Sequence, residues 1–402
     1  MKPAAVVLYH YLYPDDVVSA VHLTELCTGL ADRGWEVVAS ACNRACRDES
    51  KSYERETHWK GVRFLRLWRP RFRQSSALGR MANAVWMIAA WSLLALDRRI
   101  RADVLIVGTD PIFSPLVAFA WRLLRPRVRL VHWCFDLYPE AAVSDGLLRE
   151  GSAAVRLFQS LMGLAYRRFH LLVDIGGCMR SLLAGYGSRA AVETIVPWAL
   201  AEPSAPAPIH AEERRALFGG ASLCLLYSGN FGRAHTWEGI LELAHHLAPR
   251  GGAVVFSVRG NAVDALRGAV EAAKAPIGFA GFASPEALDR RLAATDIHVV
   301  TLRPEWTGTV VPSKFFGALA MGRPVLFVGS GDSAVAHWIR QHRVGWVLEP
   351  SAIAPLAEEL AAWSSNEEAR LATFTRCHEV YRREFSLASS LDRWDRALRR
   401  LL

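Results

Sequence analysis

The sequence has little cysteine, little lysine and no long apolar run, and each shortage excludes a class of protein. Its seven cysteines are scattered without any CxxC pair, which argues against a disulfide framework or a zinc site and suits reduced thiols. The longest apolar run, Ala84–Leu96, is too short to span a bilayer. The apolar stretch Ala4–Tyr9 has the length of a strand, not of a signal-peptide core, so we expect no leader.

The glycine-rich motifs of the common nucleotide-binding proteins are also missing. No Walker lysine motif and no GxGxxG occurs, so a P-loop NTPase or a simple dinucleotide-binding enzyme loses support. The short loop Gly329-Ser330-Gly331 is typical of an ordinary turn between a strand and a helix. A phosphate site in this chain must therefore be built in another way.

Arginine is what the chain has in excess, since only five of its 48 basic residues are lysine. The segment Lys60–Arg101 holds ten basic residues and a single acid, Asp97. It surrounds the apolar run Ala84–Leu96, and an apolar helix between arginines is typical of a segment that enters one membrane leaflet. A helix that simply covers a sheet is the alternative. The predicted membrane contacts are Arg69, Arg71, Arg73, Trp86 and Trp91.

The chain repeats one pattern in two halves. Short apolar strands alternate with helix-length segments, which predicts parallel βαβ units and an α/β fold. A proline-rich stretch at Ile195–Ile209 interrupts the pattern, and regular structure is not expected there. We predict a first domain over residues 1–196, a linker over 197–210, a second domain over 211–375, and a C-terminal helix over 376–402 that packs on the first domain.

Two segments of the second half have the residues of an anion site. In Trp306–Gly329 a Gly-Thr loop precedes a Pro-Ser-Lys helix entry, and Lys314 at that helix start suits a phosphate. In Leu225–His235 the glycines allow a diphosphate close to the backbone, and Arg233 offers a forked pair of donors. Together they predict a diphosphate clamp. An ordinary turn with a solvated side chain is the alternative for each.

Several stretches of the chain resemble the family 4 glycosyltransferases of GT-B fold, particularly those that build bacterial surface polysaccharides. In the second half these are YSGNFGRAHTWEG from Tyr227, the long stretch Phe279–Gly329, and FSLASSLDRW from Phe385. In the first half they are YLYPDDVVSAVHLTELCTGLADRGWEVV from Tyr11 and HWCFDLYPEAAVSDGLL from His132. The resemblance implies two Rossmann-like, doubly wound α/β domains that face a central cleft, with the acceptor in the first and the nucleotide sugar in the second.

The resemblance also implies roles for single residues. Arg233 and Lys314 match positions that hold the donor diphosphate, and the glycine loop at 308–310 matches one whose amides face the donor. The implied donor-binding residues are Gly229, Asn230, Arg233, Gly308, Thr309, Val310, Ser313 and Lys314. Asp136 and His132 match catalytic positions that orient the acceptor hydroxyl, although a helix cap and a core histidine are the respective alternatives. Ser19 matches a position where many members have a glycine close to donor and acceptor.

Two departures from the family pattern concern the donor. Many members have two glutamates eight positions apart around the Lys314 helix, and here those positions are Thr309 and Gly317. The lysine that usually follows the arginine loop is also absent, with His235 and Trp237 nearby. We therefore expect the nucleotide ribose to be recognised differently, or the donor to bind more weakly.

The resemblance implies a retaining transfer of a hexose, an N-acetylated sugar or a deoxy sugar from a UDP- or GDP-sugar to a lipid-linked or polysaccharide acceptor. Arg233, Lys314 and backbone amides would stabilise the leaving diphosphate, so no metal and no cofactor are expected. We expect a cytoplasmic protein, peripheral on the anionic inner-membrane surface, with no nucleic-acid partner. The alternatives are a non-catalytic GT-B subunit and, less favoured, a nucleotide-sugar 2-epimerase, which needs carboxylate bases.

Overall fold

The computed structural model describes residues 2–402, which fold into two compact α/β units. Unit 1 contains the chain up to Val196 together with Ser390–Leu402, and unit 2 contains Pro197–Ser389. Residues 197–210, expected to be a linker, therefore cluster with unit 2. Residues 376–389, expected to pack on the first domain, also lie in unit 2. Only the last thirteen residues join unit 1.

Unit 1 is built around one sheet of eight strands. The strands are β1 (Ala4–Leu8), β2 (Glu36–Cys42), β3 (Glu56–Trp59), β4 (Val62–Leu67), β5 (Val104–Val107), β6 (Arg129–Trp133), β7 (Leu171–Asp174) and β8 (Ala191–Thr194). Their order is β3-β4-β2-β1-β5-β6-β7-β8, and every pair is parallel except β3 with β4. The central strands β1 and β5 are buried along their whole length, because a parallel sheet covered on both faces selects continuous apolar runs.

The helices of unit 1 cover this sheet. They are α1 (Val18–Asp32), α2 (Ala77–Leu94), α3 (Val117–Leu124), α4 (Glu140–Ser144), α5 (Ala153–Tyr166) and α6 (Gly177–Ala184), with a short 3₁₀ turn at Ser114–Leu116. Ser76 caps α2 by accepting a hydrogen bond from the Gly79 amide at 3.1 Å. Met87 and Trp91 of α2 are buried, so one face of this apolar helix belongs to the core.

Unit 2 has a second, wholly parallel sheet of six strands. The strands are β9 (Leu223–Asn230), β10 (Gly252–Arg259), β11 (Ile277–Ala280), β12 (Ile297–Thr301), β13 (Val325–Val328) and β14 (Gly345–Val347), in the order β11-β10-β9-β12-β13-β14. The helices are α7 (Ala211–Phe218), α8 (Glu238–Leu247), α9 (Val263–Ala273), α10 (Leu288–Ala293), α11 (Lys314–Ala320), α12 (Ala334–His342), α13 (Ile353–Ser365) and α14 (Glu367–Val380). Short 3₁₀ turns lie at Ala248–Arg250, Pro285–Ala287, Pro304–Trp306 and Pro350–Ala352, and α14 continues into a π turn at Tyr381–Phe385.

The last helix, α15 (Leu387–Arg399), returns the chain to unit 1. A Cβ built on Gly29 of α1 would lie 2.4 Å from Leu391 Cδ1, so the glycine makes room for this helix. The ring of the buried Trp394 lies 5.0 Å from that of Trp133, edge to face. This helix therefore supplies part of the core of unit 1.

Each sheet has one topological switch point. In unit 1 the connection from β1 leads to β2 on one side of the sheet, and the connection from β5 leads to β6 on the opposite side. The switch point, where the direction of the connections reverses, therefore lies between β1 and β5. In unit 2 the same reversal lies between β9 and β12. Open α/β sheets bind ligands at the carboxyl ends of the strands at this point. The α/β class and the two Rossmann-like sheets predicted from the sequence are thus confirmed.

Candidate functional site

Lys314 and Gly229 meet at the switch point of unit 2. Lys314 is the first residue of α11, and its Nζ lies 5.1 Å from the centre of the Tyr227 ring on β9. A Cβ built on Gly229 would come within 2.6 Å of Lys314 Cε. Gly229 also has a φ of 136°, which favours glycine. The backbone conformation therefore favours glycine at 229, and a side chain there would displace the flexible end of Lys314.

The environment of Lys314 suits an anionic ligand. Burial lowers the pKa of its ammonium group to about 8. Within the described part of the chain no carboxylate forms an ion pair with it. A half-buried cation that lacks a carboxylate partner gains most from a ligand with negative charge, such as a diphosphate.

His235 and Arg303, which sequence reasoning did not assign, hold the loop after β9. His235 Nδ1 lies 2.8 Å from the Thr301 carbonyl oxygen at the end of β12, to which it donates when protonated there. Burial, followed by the charge of Lys314, lowers the pKa of His235 to about 3, so the ring is neutral. Arg303 donates from its backbone amide to the Ala234 carbonyl at 2.8 Å and from Nε to the His235 carbonyl at 2.9 Å. These bonds join the loops that follow two adjacent strands.

Three other residues predicted to bind the nucleotide sugar, Asn230, Arg233 and Ser313, lie on the segments around Gly229 and Lys314. Asn230 is exposed at the end of β9, and Arg233 is exposed on the loop that follows. Ser313 is exposed at the start of α11, and its hydroxyl makes no capping bond there. The structure thus brings Gly229 and Lys314 into contact and places Arg233 on the loop that follows the same strand.

The amide and the hydroxyl of Thr309 make hydrogen bonds within their own loop. Its amide donates to the Trp306 carbonyl at 3.1 Å, and its hydroxyl donates to the same oxygen at 2.9 Å. Gly308 has a φ of 87°, which permits this tight turn, and Val310 follows half-buried. Both of these hydrogen bonds hold the loop together, and the hydroxyl oxygen can still accept a hydrogen bond.

A second polar cluster lies at the switch point of unit 1. His10 follows β1 and Asp110 follows β5, and His10 Nδ1 lies 3.3 Å from Asp110 Oδ1. Burial lowers the pKa of His10, but the Asp110 carboxylate outweighs it and raises the pKa to about 9. Burial raises the pKa of Asp136 to about 6, and the charge of Asp110 adds to this shift. The Ser19 hydroxyl is hydrogen-bonded to the Tyr9 phenol beside them.

Asp136 and Ser19 both lie near this cluster, whereas His10 and Asp110 were not predicted to be site residues. The available signal was positional, because both missed residues directly follow apolar strands. Their pairing is visible only once β1 and β5 are known to be neighbours.

His132 is a core histidine, and the structure contradicts its catalytic assignment. The side chain is buried within unit 1, and Nδ1 lies 2.8 Å from the Val107 carbonyl oxygen. The ring packs against those of Tyr166 and Phe169 at 5.7 Å and 5.6 Å. Burial lowers the pKa of His132 to about 4, which keeps the ring neutral.

The predicted membrane residues separate into two groups. Arg71, Arg73 and Trp86 are exposed, and Trp86 packs edge to face on the exposed Trp68 at 5.0 Å. Arg69 is fully buried, with Nη2 3.3 Å from Glu49 Oε1, and Trp91 is fully buried with Nε1 donating to the Ser40 hydroxyl at 3.2 Å. Arg69 and Trp91 are thus core residues, and their assignment to a membrane face is wrong.

A family model and a curated protein that are similar to this chain both describe glycosyltransferases. Residues 19–199 match the family model of the glycosyl transferase 4-like domain. The probable glycosyltransferase WbjE of Pseudomonas aeruginosa is 28% identical over 307 residues, which cover 72% of this chain and 74% of that protein.

Two solved structures match essentially the whole chain. Sucrose-phosphate synthase of Thermosynechococcus elongatus has a TM-score of 0.73 at 15% identity, covering 100% of this chain and 99% of that one. HepE of Anabaena, solved with UDP and glucose, has a TM-score of 0.68 at 14% identity, covering 99% and 100%. These findings confirm the GT-B fold and the resemblance to family 4 glycosyltransferases.

Proposed function

We propose that this glycosyltransferase of GT-B fold moves a sugar from a UDP- or GDP-sugar to a lipid-linked or polysaccharide acceptor in cell-surface glycan synthesis, with retention at the anomeric carbon. The observation that carries the proposal is the contact between Lys314 and Gly229, where an ammonium without a carboxylate partner lies beside a half-buried glycine near the end of β9. HepE was solved in complex with UDP and glucose, which supports a nucleotide-sugar donor. WbjE supports a glycan-building role by its similarity.

The proposed chemistry depends on electrostatic stabilisation of the leaving group. The bond between the anomeric carbon and the diphosphate oxygen breaks, a bond to the acceptor oxygen forms on the same face, and the proton of the acceptor hydroxyl passes to the departing diphosphate oxygen. Lys314 and Arg233 stabilise the charge that develops on the diphosphate. Removing one such preorganised donor in other enzymes costs about 10²–10³ in rate.

In this proposal no metal is needed, because the two cations and the loop amides bear the leaving-group charge. Among the described residues no group of three or more His, Cys, Asp and Glu side chains is arranged to hold a metal ion. We therefore expect activity to persist in EDTA.

The proposed location is the cytoplasmic face of the inner membrane, through α2. Within the described residues α2 alone is long and apolar enough to cross a membrane by length and composition. We propose that it lies on the surface instead, because Met87 and Trp91 anchor one face in the core. Leu78 on the other face is 86% exposed, and Val85 and Leu93 are exposed with it. An apolar face flanked by arginines binds an anionic interface.

The direct test incubates the protein with UDP- and GDP-sugars and a lipid extract, measures nucleotide release and determines the anomeric configuration of the product. We expect one donor to be consumed, with retention and without added metal. Inverted product would refute the retaining mechanism, and interconversion of donor sugars without transfer would favour the 2-epimerase. Nucleotide-sugar binding without turnover on any acceptor would favour a non-catalytic subunit.

A further inference from the structure

A groove of about 420 Å³ runs along β14, the last strand at one edge of the sheet of unit 2. All three residues of β14 line this groove, together with side chains from α12, α13 and α14. β14 is two strands away from β12 and three from β9, the strands between which the Lys314–Gly229 contact lies. The β14 groove is therefore separate from the candidate donor site.

Three arginines and two glutamates line the β14 groove, which leaves it with one excess positive charge. Arg340 is neutralised by Glu349, with 3.2 Å between Nη2 and Oε1. Arg343 and Arg376 form no ion pair within the part of the chain that the structure describes, although Arg376 Nη1 donates to the Arg343 carbonyl at 3.3 Å. Two neighbouring guanidinium groups that lack a carboxylate partner are suited to bind one from a ligand.

The groove also offers apolar rings and a hydrogen-bond acceptor. The indole rings of Trp346 on β14 and Trp363 on α13 are half-buried and meet edge to face, with 5.2 Å between their centres. Trp346 Nε1 donates to Glu359 Oε1 at 2.6 Å, which holds the ring in place. Glu359 is exposed, so its second carboxylate oxygen can accept a hydrogen bond from a ligand hydroxyl. The groove thus combines two unpaired cations, an acceptor and an apolar wall.

We infer that the β14 groove binds an acidic sugar unit of the glycan, of the hexuronic acid class. The carboxylate of this sugar pairs with Arg343 and Arg376, a hydroxyl donates to Glu359, and the apolar C–H face of the sugar ring packs on Trp346. The inference rests on the proposed function. It adds a glycan contact outside the donor site and names acidic glycans as the class that the protein handles.

The charge and the shape of the groove favour this ligand over other anions. A nucleoside diphosphate carries several negative charges, and the two glutamates would repel it, whereas a hexuronic acid has a single charge that matches the single excess positive charge. An acidic peptide could pair with the arginines, but the three residues of β14 offer few main-chain hydrogen bonds for strand addition. Ligand pockets commonly occupy about 300–1,000 Å³, so a groove near the lower end holds a short stretch of glycan.

The test is a ligand-observed NMR titration of the full chain with digalacturonic acid, its neutral methyl ester, and an end-blocked dipeptide of two glutamates that has equal charge. We expect saturable binding of the acid and at least about tenfold weaker binding of the other two probes. Arg343→Gln with Arg376→Gln should weaken binding of the acid at least about tenfold, because both partners of its carboxylate are lost. The matched control, Arg215→Gln with Arg290→Gln, changes two exposed arginines elsewhere in unit 2 and should alter binding less than about twofold.

Equal binding of the methyl ester would show that the arginines do not pair with a carboxylate, and equal binding of the dipeptide would show that the groove selects charge and not a sugar. Either result overturns the inference, as does equal weakening by the two double variants or the lack of saturable binding. The melting temperature, followed with UDP and GDP, separates the two claims. A nucleotide shift in the unaltered protein without binding of digalacturonic acid contradicts the inference alone, whereas absence of any nucleotide shift contradicts the proposed function.

Discussion

The end of the Lys314 side chain fills the space that a side chain at residue 229 would occupy. A Cβ at residue 229 would be 2.6 Å from Lys314 Cε, and the φ of 136° at Gly229 is one that other residues rarely adopt. The contact joins the end of β9 to the start of α11, the two segments that the sequence predicts to hold a diphosphate. The lysine therefore occupies space that a side chain at residue 229 would need.

Gly229→Ala should reduce both donor binding and stability. The new methyl group pushes the flexible lysine side chain away, so we expect the affinity for UDP or GDP to fall about tenfold or more. Backbone strain adds about 1–3 kcal/mol of destabilisation. Titration calorimetry and thermal unfolding measure the two effects. Gly268→Ala, in the middle of α9 with open space around it, is the matched control and should stabilise the protein slightly or not at all.

The affinity for the nucleotide should depend on pH through Lys314. Only the charged ammonium attracts the diphosphate, and its pKa in the free protein is lowered from 10.5 to about 8. Affinity should therefore be full below about pH 8 and decline as the pH rises above it. Titrations from pH 7 upward avoid the ionisation of the terminal phosphate, which has a pKa of about 6. In Lys314→Arg the decline should disappear, since arginine keeps its charge; the same decline in this variant would show that another group titrates.

Reversal of charge beside α2 should release the protein from anionic vesicles. Each arginine near such a surface contributes about 1 kcal/mol, so Arg71→Glu with Arg73→Glu should lower the partition coefficient at least tenfold. Co-sedimentation with phosphatidylglycerol vesicles measures this. The control changes Arg127 and Arg149, two exposed arginines elsewhere in unit 1, to glutamate. If both double variants behave alike, the α2 face is not the membrane contact.

Arg69 should matter for folding and not for membrane binding. Removing one partner of a fully buried ion pair costs about 3–5 kcal/mol, and the cost should be smaller here because the remaining charge, that of Glu49, is 21% exposed. Arg69→Ala should therefore lower the melting temperature by several degrees, while Arg71→Ala leaves it almost unchanged. Similar melting temperatures for the two variants would show that the Arg69 pair is not formed in solution.

Much of the fold and of the donor site could be predicted from the sequence. The apolar strands alternate with helical segments, and the rare Lys314 follows a glycine turn. These local patterns were sufficient to predict the α/β fold and the segments of the candidate donor site. The edge strands β3 and β8 were missed because they are short and polar, as edge strands often are.

The acceptor side could be predicted only in part, because it depends on long-range pairing. His10 and Asp110 are 100 residues apart and meet only through the neighbouring strands β1 and β5. His132 was misassigned because the sequence does not show which face of a fully buried strand a side chain occupies. In the same way, Arg69 cannot be told from Arg71 and Arg73 without knowing that Glu49 lies beside it.

The most direct test of the central claim is a thermal-shift series with UDP, GDP and their sugars on the unaltered protein, Lys314→Ala and the exposed-lysine control Lys51→Ala. A nucleotide at a hundred times its dissociation constant stabilises the folded state by about 2.7 kcal/mol, which gives a clear shift. We predict a shift with one nucleotide series that persists in Lys51→Ala and is lost in Lys314→Ala. A shift of the same size in all three proteins, or none in any of them, would contradict a donor site built on Lys314 and Gly229.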